Sequence, residues 1–270
     1  MRGGDGRDGA RQVRARLHPT AIIDKKAEIA EDAEIGPWAI VGPGCTVGAG
    51  SVLHARATLE VNVRLGARVT IGIGSVVGGK PQDLKFKGEV TFVEIGDDTT
   101  IREYVTVNRG TSQSFRTTVG AHCFLMSYVH LAHDCHVGDS VIMSNCATLA
   151  GHVTVEDYAI LSGFCAVHQF VKIGRHAFIG GMSRVQKDVP PFVKAVGNPM
   201  RLYGLNSVGL QRRGFGEDVI VELKKAYRLL FRSELNVSQA VEQATAGLKP
   251  LQEVKDLIAF VEASGRGVTV

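Results

Sequence analysis

One apolar residue in every six governs this chain. Stepping by six from Ile23 meets Ile29, Ile35, Val41, Val47, Leu53, Leu59, Leu65, Ile71 and Val77. The beat lapses at Asp83 and Glu89, returns in phase at Ile95, Ile101 and Val107, and lapses again at Gln113. From Val119 it runs unbroken to Val185, so that 25 of 28 slots are apolar in a chain whose hydrophobic content is 44%. A small or β-branched residue follows four places later, as at Val129, Cys135, Val141, Ala147 and Val153. Glycine often follows the slot directly (Gly36, Gly42, Gly48, Gly66), as tight turns need. A period of six matches neither the 3.6 of a helix nor the 2 of a simple strand. It fits short strands joined by regular turns and wound into a parallel β-helix, in which each repeat buries its apolar face only by stacking on its neighbours.

The units IGPWAI, VGPGCT, VGAGSV and IGDDTT resemble the hexapeptide-repeat transferases. The resemblance implies a left-handed parallel β-helix with three hexads, 18 residues, to the coil; 28 slots then make about nine coils. Stacked positions would lie ~4.8 Å apart. The two lapses are excursions that leave the register intact: Gly78 to Glu89, with Pro81, and the Ser/Thr-rich Arg109 to Arg116. They read either as plain surface loops or as binding loops set on a rigid scaffold.

The repeat is expected to end at Asp188-Val189-Pro190-Pro191, since successive prolines cannot continue a ladder. Beyond a connector the periodicity becomes helical. Val219, Leu223, Ala226, Tyr227 and Leu230 share one face; a second helix starts near Ser238 and closes at Gly247; Leu251, Val254, Leu257, Ile258 and Val261 line a third. The domain reading is therefore a disordered basic tail over 1–17, the β-helix over 18–204 and an α-helical C-terminal domain over 205–270.

Composition excludes some classes. No apolar run approaches the ~20 residues of a membrane span, and the basic N-terminus lacks the apolar core of a signal peptide, so a cytoplasmic protein without membrane insertion is expected. The tail reads as frayed, with an arm for nucleic acid or an anionic surface as the alternative. A net charge of +4 does not demand nucleic acid, and none is expected as a partner. Five cysteines show no CxxC spacing; Cys45, Cys123, Cys135 and Cys165 fall on the small-residue slot and read as compact buried hydrophobes.

The chemistry gathers between Leu125 and Val153, at His130, His133, Asp134, His136 and His152. Asp134 and His152 are 18 residues apart and stack on an 18-residue coil; His168 lies a coil further on, offset by two. A histidine oriented by a carboxylate suits general-base work on a hydroxyl. The unobstructed N–H of Gly151 suits an oxyanion. His54 and His176 read as solvated turn residues. A zinc site on His130, His133 and His152 is the competing chemistry.

Longer motifs then specify a family. HLAHDCHVG, NCATLAGHV, AVHQF, KDVPPFV and GLQRRGF, in that order, with QDLK and IREYVTVNRGT before them, resemble the UDP-N-acetylglucosamine acyltransferases of lipid A synthesis over residues 18 to 265. The resemblance implies transfer of an (R)-3-hydroxyacyl chain from acyl carrier protein to the sugar 3-hydroxyl by a homotrimer, without metal or cofactor. It casts His133 as general base, Asp134 as its orienting partner and the Gly151 amide as oxyanion donor. It gives Asp83, Lys85, His130, His152 and Gln169 to the sugar nucleotide or acyl chain. Asn206, Arg212 and Arg213 would hold the diphosphate end, where guanidinium groups suit phosphate. Gly181 and Met182 would floor the acyl-chain pocket, with Gly181 leaving room for a long chain. Lys172, Arg175, Arg184, Lys187, Lys194 and Arg201 offer a basic surface for the acidic carrier protein. Two departures stand out: Asn108 and Pro199 occupy places where the family commonly has histidine. Alternatives are the N-acyltransferase of the same pathway, which normally carries a further N-terminal domain, a 3-amino acceptor sugar, and a non-catalytic β-helix scaffold.

Overall fold

The computed structural model describes residues 15–270. Two-residue strands alternate with four-residue turns and wind into a left-handed prism of three parallel sheets. Every third strand pairs: Glu34 with Val52, Ile40 with Thr58, Glu28 with Thr46. One residue of each strand points inward, so Leu53, Leu59, Ile71, Ile101, Leu125, Leu131, Met143 and Leu149 stack into a fully buried column. The first sheet has eleven strands, the second nine and the third eight among the described residues.

The two excursions do what the lapses required. Thr70 pairs with Thr100, thirty residues on, and Thr100 with Phe124, twenty-four on; the loops therefore add two hexads and one hexad to an 18-residue coil without shifting the register. The four slot cysteines are buried, and burial raises the thiol of Cys123 to about 11 and that of Cys135 to about 12, which keeps them protonated.

Glycine's role differs from the expected one. The left-handed turn position is held by glycine at Gly44, Gly50 and Gly74 but mostly by side-chain-bearing residues, among them Trp38, Arg56, Tyr128, Asp134 and His152, all at positive φ. Gly36, Gly42 and Gly48 serve instead where coils touch: a Cβ on Gly42 would lie 1.8 Å from the Glu60 carbonyl oxygen, and one on Gly48 2.2 Å from that of Gly66. Close approach of backbones, not φ, requires them.

Arg16 and Leu17, assigned to the tail, form a strand paired with Glu34 and Ile35; the remainder of that tail, 1–14, lies outside the described residues. At the other end the diproline does not end the ladder. Val193–Gly197 pairs parallel with Phe178–Ile179, then turns back antiparallel onto Met200–Leu205. Four helices follow: α1 (Ser207–Arg212), α2 (Glu217–Arg232), α3 (Val237–Gly247) and α4 (Gln252–Ala263). Of these, α1 is too short to show a helical period in the sequence, and α3 is capped by Asn236 rather than Ser238, through a capping box with Gln239. The inner face of α2 is Ile220, Leu223, Ala226, Tyr227 and Phe231, one step round from the face read off the sequence; Val254, Leu257, Ile258 and Val261 of α4 are buried as expected.

Candidate active site

Three turns build the site at the corner between the second and third sheets. The strand His130–Leu131 belongs to the second sheet and His136–Val137 to the third, so His133 and Asp134 occupy the turn between them. One coil on, Gly151 and His152 fill the same corner. His133 Nδ1 stands 2.8 Å from Asp134 Oδ2, the imidazole edge donating to the carboxylate. The His152 N–H donates to the His133 carbonyl at 3.1 Å, and its ring lies edge-on to that of His133 with centroids 5.0 Å apart.

Asp134 is held by the second excursion, the Ser/Thr-rich loop from Arg109 to Arg116. The Thr111 N–H and hydroxyl reach its two oxygens at 2.9 and 2.7 Å, and Ser114 adds its N–H and hydroxyl. Burial works against the charge on Asp134. The donors from Ser114, His133 and Thr111 outweigh it and hold the carboxyl down to about 2. Thr111 and Ser114 were missed; the signal for them was the lapse at Gln113 inside a Ser/Thr-rich stretch, which says that something folds over this corner but not onto what.

The site is more enclosed than outward-facing turn residues would suggest: the Asp134 side chain has no exposure and that of His133 12%. Burial lowers the pKa of His152, His130 and His136, keeping these rings neutral. A side chain on Gly151 would strike the His133 ring, 2.7 Å from Cε1 and 2.8 Å from Nε2. Among the described residues the buried Gly151 N–H has no hydrogen-bond acceptor.

Other expected residues fall as follows. Asp83, on the first excursion, is close enough to His152 for its charge to act on that ring, and its carboxylate caps the Lys85 N–H at 2.9 Å. Lys85 and Gln169 are exposed, and His130 Nδ1 meets the Thr106 hydroxyl at 2.7 Å. His168 does not join the cluster: it contacts the Gln169 carbonyl and Arg266, while Phe170 takes its expected place, stacked on His152 at 4.4 Å. Asn206 is occupied as the cap of α1 and as donor to the His176 carbonyl. His176 is no solvated turn residue. It is buried between Tyr158 and Phe192 with Phe215 edge-on, and burial, with Arg213 and Arg175 nearby, drives its pKa down to about 4.

Arg213 lies over the Tyr158 ring, at the corner between the third and first sheets, with exposed Arg212 beside it. Gly181 and Met182 are exposed at the remaining corner, between the first and second sheets. A single prism thus carries the dyad, the arginines and the residues expected to floor the acyl pocket on three different corners. The basic surface is not one patch either: Lys172 is on the third sheet, Arg184 on the second and Lys194 on the first, and Arg175 is paired with Asp256 at 3.2 Å.

Ligand atoms of His133, Asp134 and His152 lie within 4.8 Å of one another, close enough for a metal. The donor set fits one poorly. His133 Nδ1 carries the proton it shares with Asp134, and both Asp134 oxygens are already taken up by Thr111 and Ser114. The arrangement fixes the His133 ring through Nδ1 on a buried carboxylate.

Known proteins resemble this chain over most of its length. Residues 188–269 match the model of "Udp N-acetylglucosamine O-acyltransferase; Domain 2", and residues 26–61 and 116–151 match the six-repeat bacterial transferase hexapeptide model. The acyl-[acyl-carrier-protein]--UDP-N-acetylglucosamine O-acyltransferase of Burkholderia mallei (strain SAVP1) is 54% identical over 259 residues, 94% of this chain and 99% of its own. Among solved structures, LpxA of Acinetobacter baumannii superposes with a TM-score of 0.92 at 42% identity, covering 94% of this chain and 99% of its own. LpxA of Bacteroides fragilis gives 0.92 at 38%, with the same coverage. With the hexapeptide prism, the helical end and this degree of identity, the chain belongs to the UDP-N-acetylglucosamine O-acyltransferase family.

Proposed function

We propose that the corner built by His133, Asp134 and Gly151 transfers an (R)-3-hydroxyacyl chain from acyl carrier protein to the 3-hydroxyl of UDP-N-acetylglucosamine. The observation that carries the reading is the fixed dyad: Asp134, ionised and immobilised by Thr111 and Ser114, holds the proton on His133 Nδ1 and leaves Nε2 as the base. Nε2 takes the proton of the sugar hydroxyl as its oxygen attacks the thioester carbonyl. The tetrahedral oxyanion accepts the free N–H of Gly151. Collapse breaks the carbon–sulfur bond, and the imidazolium returns its proton to the departing thiolate. Ester and carrier thiol result, with no oxidant, metal or cofactor in the balance.

His152 and Asp83 beside the base and His130 on the adjoining strand are placed to hold the acceptor or the acyl chain. The separation of Arg212, Arg213, Gly181 and Met182 onto other corners supports a site completed between copies of the prism, a homotrimer. So does the exposed row Trp38, Tyr104, Tyr128, Phe164 and Met182 at the corner between the first and second sheets. No described helix is long and apolar enough to cross a membrane, and a cytoplasmic site of action is proposed with the carrier-protein donor.

The test is acyl transfer from 3-hydroxyacyl carrier proteins of graded length to UDP-N-acetylglucosamine. An alkali-labile O-acyl product is expected. Transfer only to an amino sugar would overturn the assignment of the acceptor.

A further inference from the structure

One polar side chain beside the catalytic corner takes no part in this mechanism. Asn108 ends the strand Thr106–Asn108, and the pairing of Val107 with Leu131 sets it level with Ala132, the residue before His133. On its other side stands Gly79. The column is otherwise small here, running Gly79, Ala132, Ala150, so Asn108 brings the one carboxamide to this stretch of the edge. It is only 7% exposed, yet its Oδ1 has no hydrogen-bond partner among the described residues. A buried polar atom left unpaired destabilises the fold, and such groups collect where a ligand supplies the partner.

The first excursion leaves the prism on the Gly79 side of Asn108. A Cβ on Gly79 would stand 3.1 Å from Asn108 Nδ2 and 3.4 Å from Glu60 Oε2, so the glycine leaves the carboxamide uncovered by a side chain. Gly79 is the root of the loop that brings Asp83 toward His152.

We propose that Asn108 is a specificity-determining residue that hydrogen-bonds the acetamido group of the acceptor sugar. The inference rests on the O-acyltransfer reading. The carboxamide sits one coil, ~4.8 Å, from the His133 turn, and the acetamido group is borne by the carbon next to the one carrying the reacting hydroxyl. Carboxamide and acetamide each present a donor and an acceptor, so the two satisfy each other without charge.

The experiment is calorimetric binding of UDP-N-acetylglucosamine and of UDP-2-deoxyglucose, which lacks the 2-substituent, to the wild type, Asn108→Leu and Asn108→Ala, with thermal unfolding of each protein. The expected result is a Kd for UDP-N-acetylglucosamine raised about tenfold in the variants, the worth of roughly one hydrogen bond. The Kd for the deoxy sugar should stay within about twofold, with the Tm of Asn108→Leu equal to or above that of the wild type, because an unpaired polar group has been removed. Unchanged binding of UDP-N-acetylglucosamine, equal losses for both nucleotides, or a marked fall in Tm for both variants would overturn the proposal. A wild type that binds no UDP-N-acetylglucosamine would instead bring down the O-acyltransfer reading itself.

Discussion

Gly151→Ala is the smallest change that should disable the site. The added Cβ would lie 2.7 Å from His133 Cε1, where an ordinary contact begins near 3.4 Å, so the ring must move by about 0.7 Å. It cannot do so freely. Its Nδ1 is bonded to Asp134 at 2.8 Å, and Asp134 is fixed by Thr111 and Ser114. A shift of this size breaks or bends a hydrogen bond to a charged group, costing about 1.5–3 kcal/mol. A misplacement approaching 1 Å at a reacting group costs about a hundredfold in rate. We therefore expect kcat to fall about a hundredfold with KM for UDP-N-acetylglucosamine nearly unchanged, since alanine keeps the backbone N–H. Steady-state kinetics with Gly247→Ala as control, a site with nothing within 4 Å, provides the assay. A Gly151→Ala enzyme retaining kcat within about threefold would refute the tight packing of base against glycine.

Ser114→Ala and Thr111→Val should each lower kcat by about three- to tenfold through a less constrained Asp134, and the double variant should lose less than the product, because both act on one carboxylate; additive losses would argue against a shared target. His176, with its pKa depressed to about 4, gives stability that is full above the unfolded value of ~6.5 and is lost as pH falls from there toward 4, about 3 kcal/mol in all. Urea titrations of His176→Phe should accordingly show a shallower acid loss over that window, and parallel curves would contradict the sign. Gly181→Met is sterically admitted, a Cβ there meeting the Gly163 carbonyl oxygen at 3.4 Å and Ser162 Cβ at 3.9 Å, both ordinary contacts, and should shift donor preference toward shorter chains; an unaltered chain-length profile would remove Gly181 from the acyl floor.

The prism was legible because its constraint is strictly periodic. One inward residue per strand, repeated from Ile23 to Val185, leaves little choice of fold, and the phase kept across Asp83, Glu89 and Gln113 announced loops of whole hexads. The stacking of His152 over the His133–Asp134 turn followed from the same arithmetic. What stayed hidden depends on contacts rather than period. The Thr111 and Ser114 hydroxyls reach Asp134 from twenty or more residues away, along a loop that has left the repeat. His176 looked like any turn residue until α1 and the segment after it laid Phe215 and Arg213 against its column. His168 was displaced by an offset of two: the residue that stacks is the one 18 positions on, Phe170. The prolines at 190 and 191 misled because the ladder resumes after them, at Val193.

The proposed reaction depends on His133 as its base. Its direct test is the rate of acyl transfer to UDP-N-acetylglucosamine by His133→Ala, alongside the affinity of that variant for the sugar nucleotide. Loss of at least about a hundredfold in kcat, with Kd kept within a few-fold, is the predicted result. Transfer at near wild-type rate by His133→Ala would contradict it and place the base elsewhere on this corner.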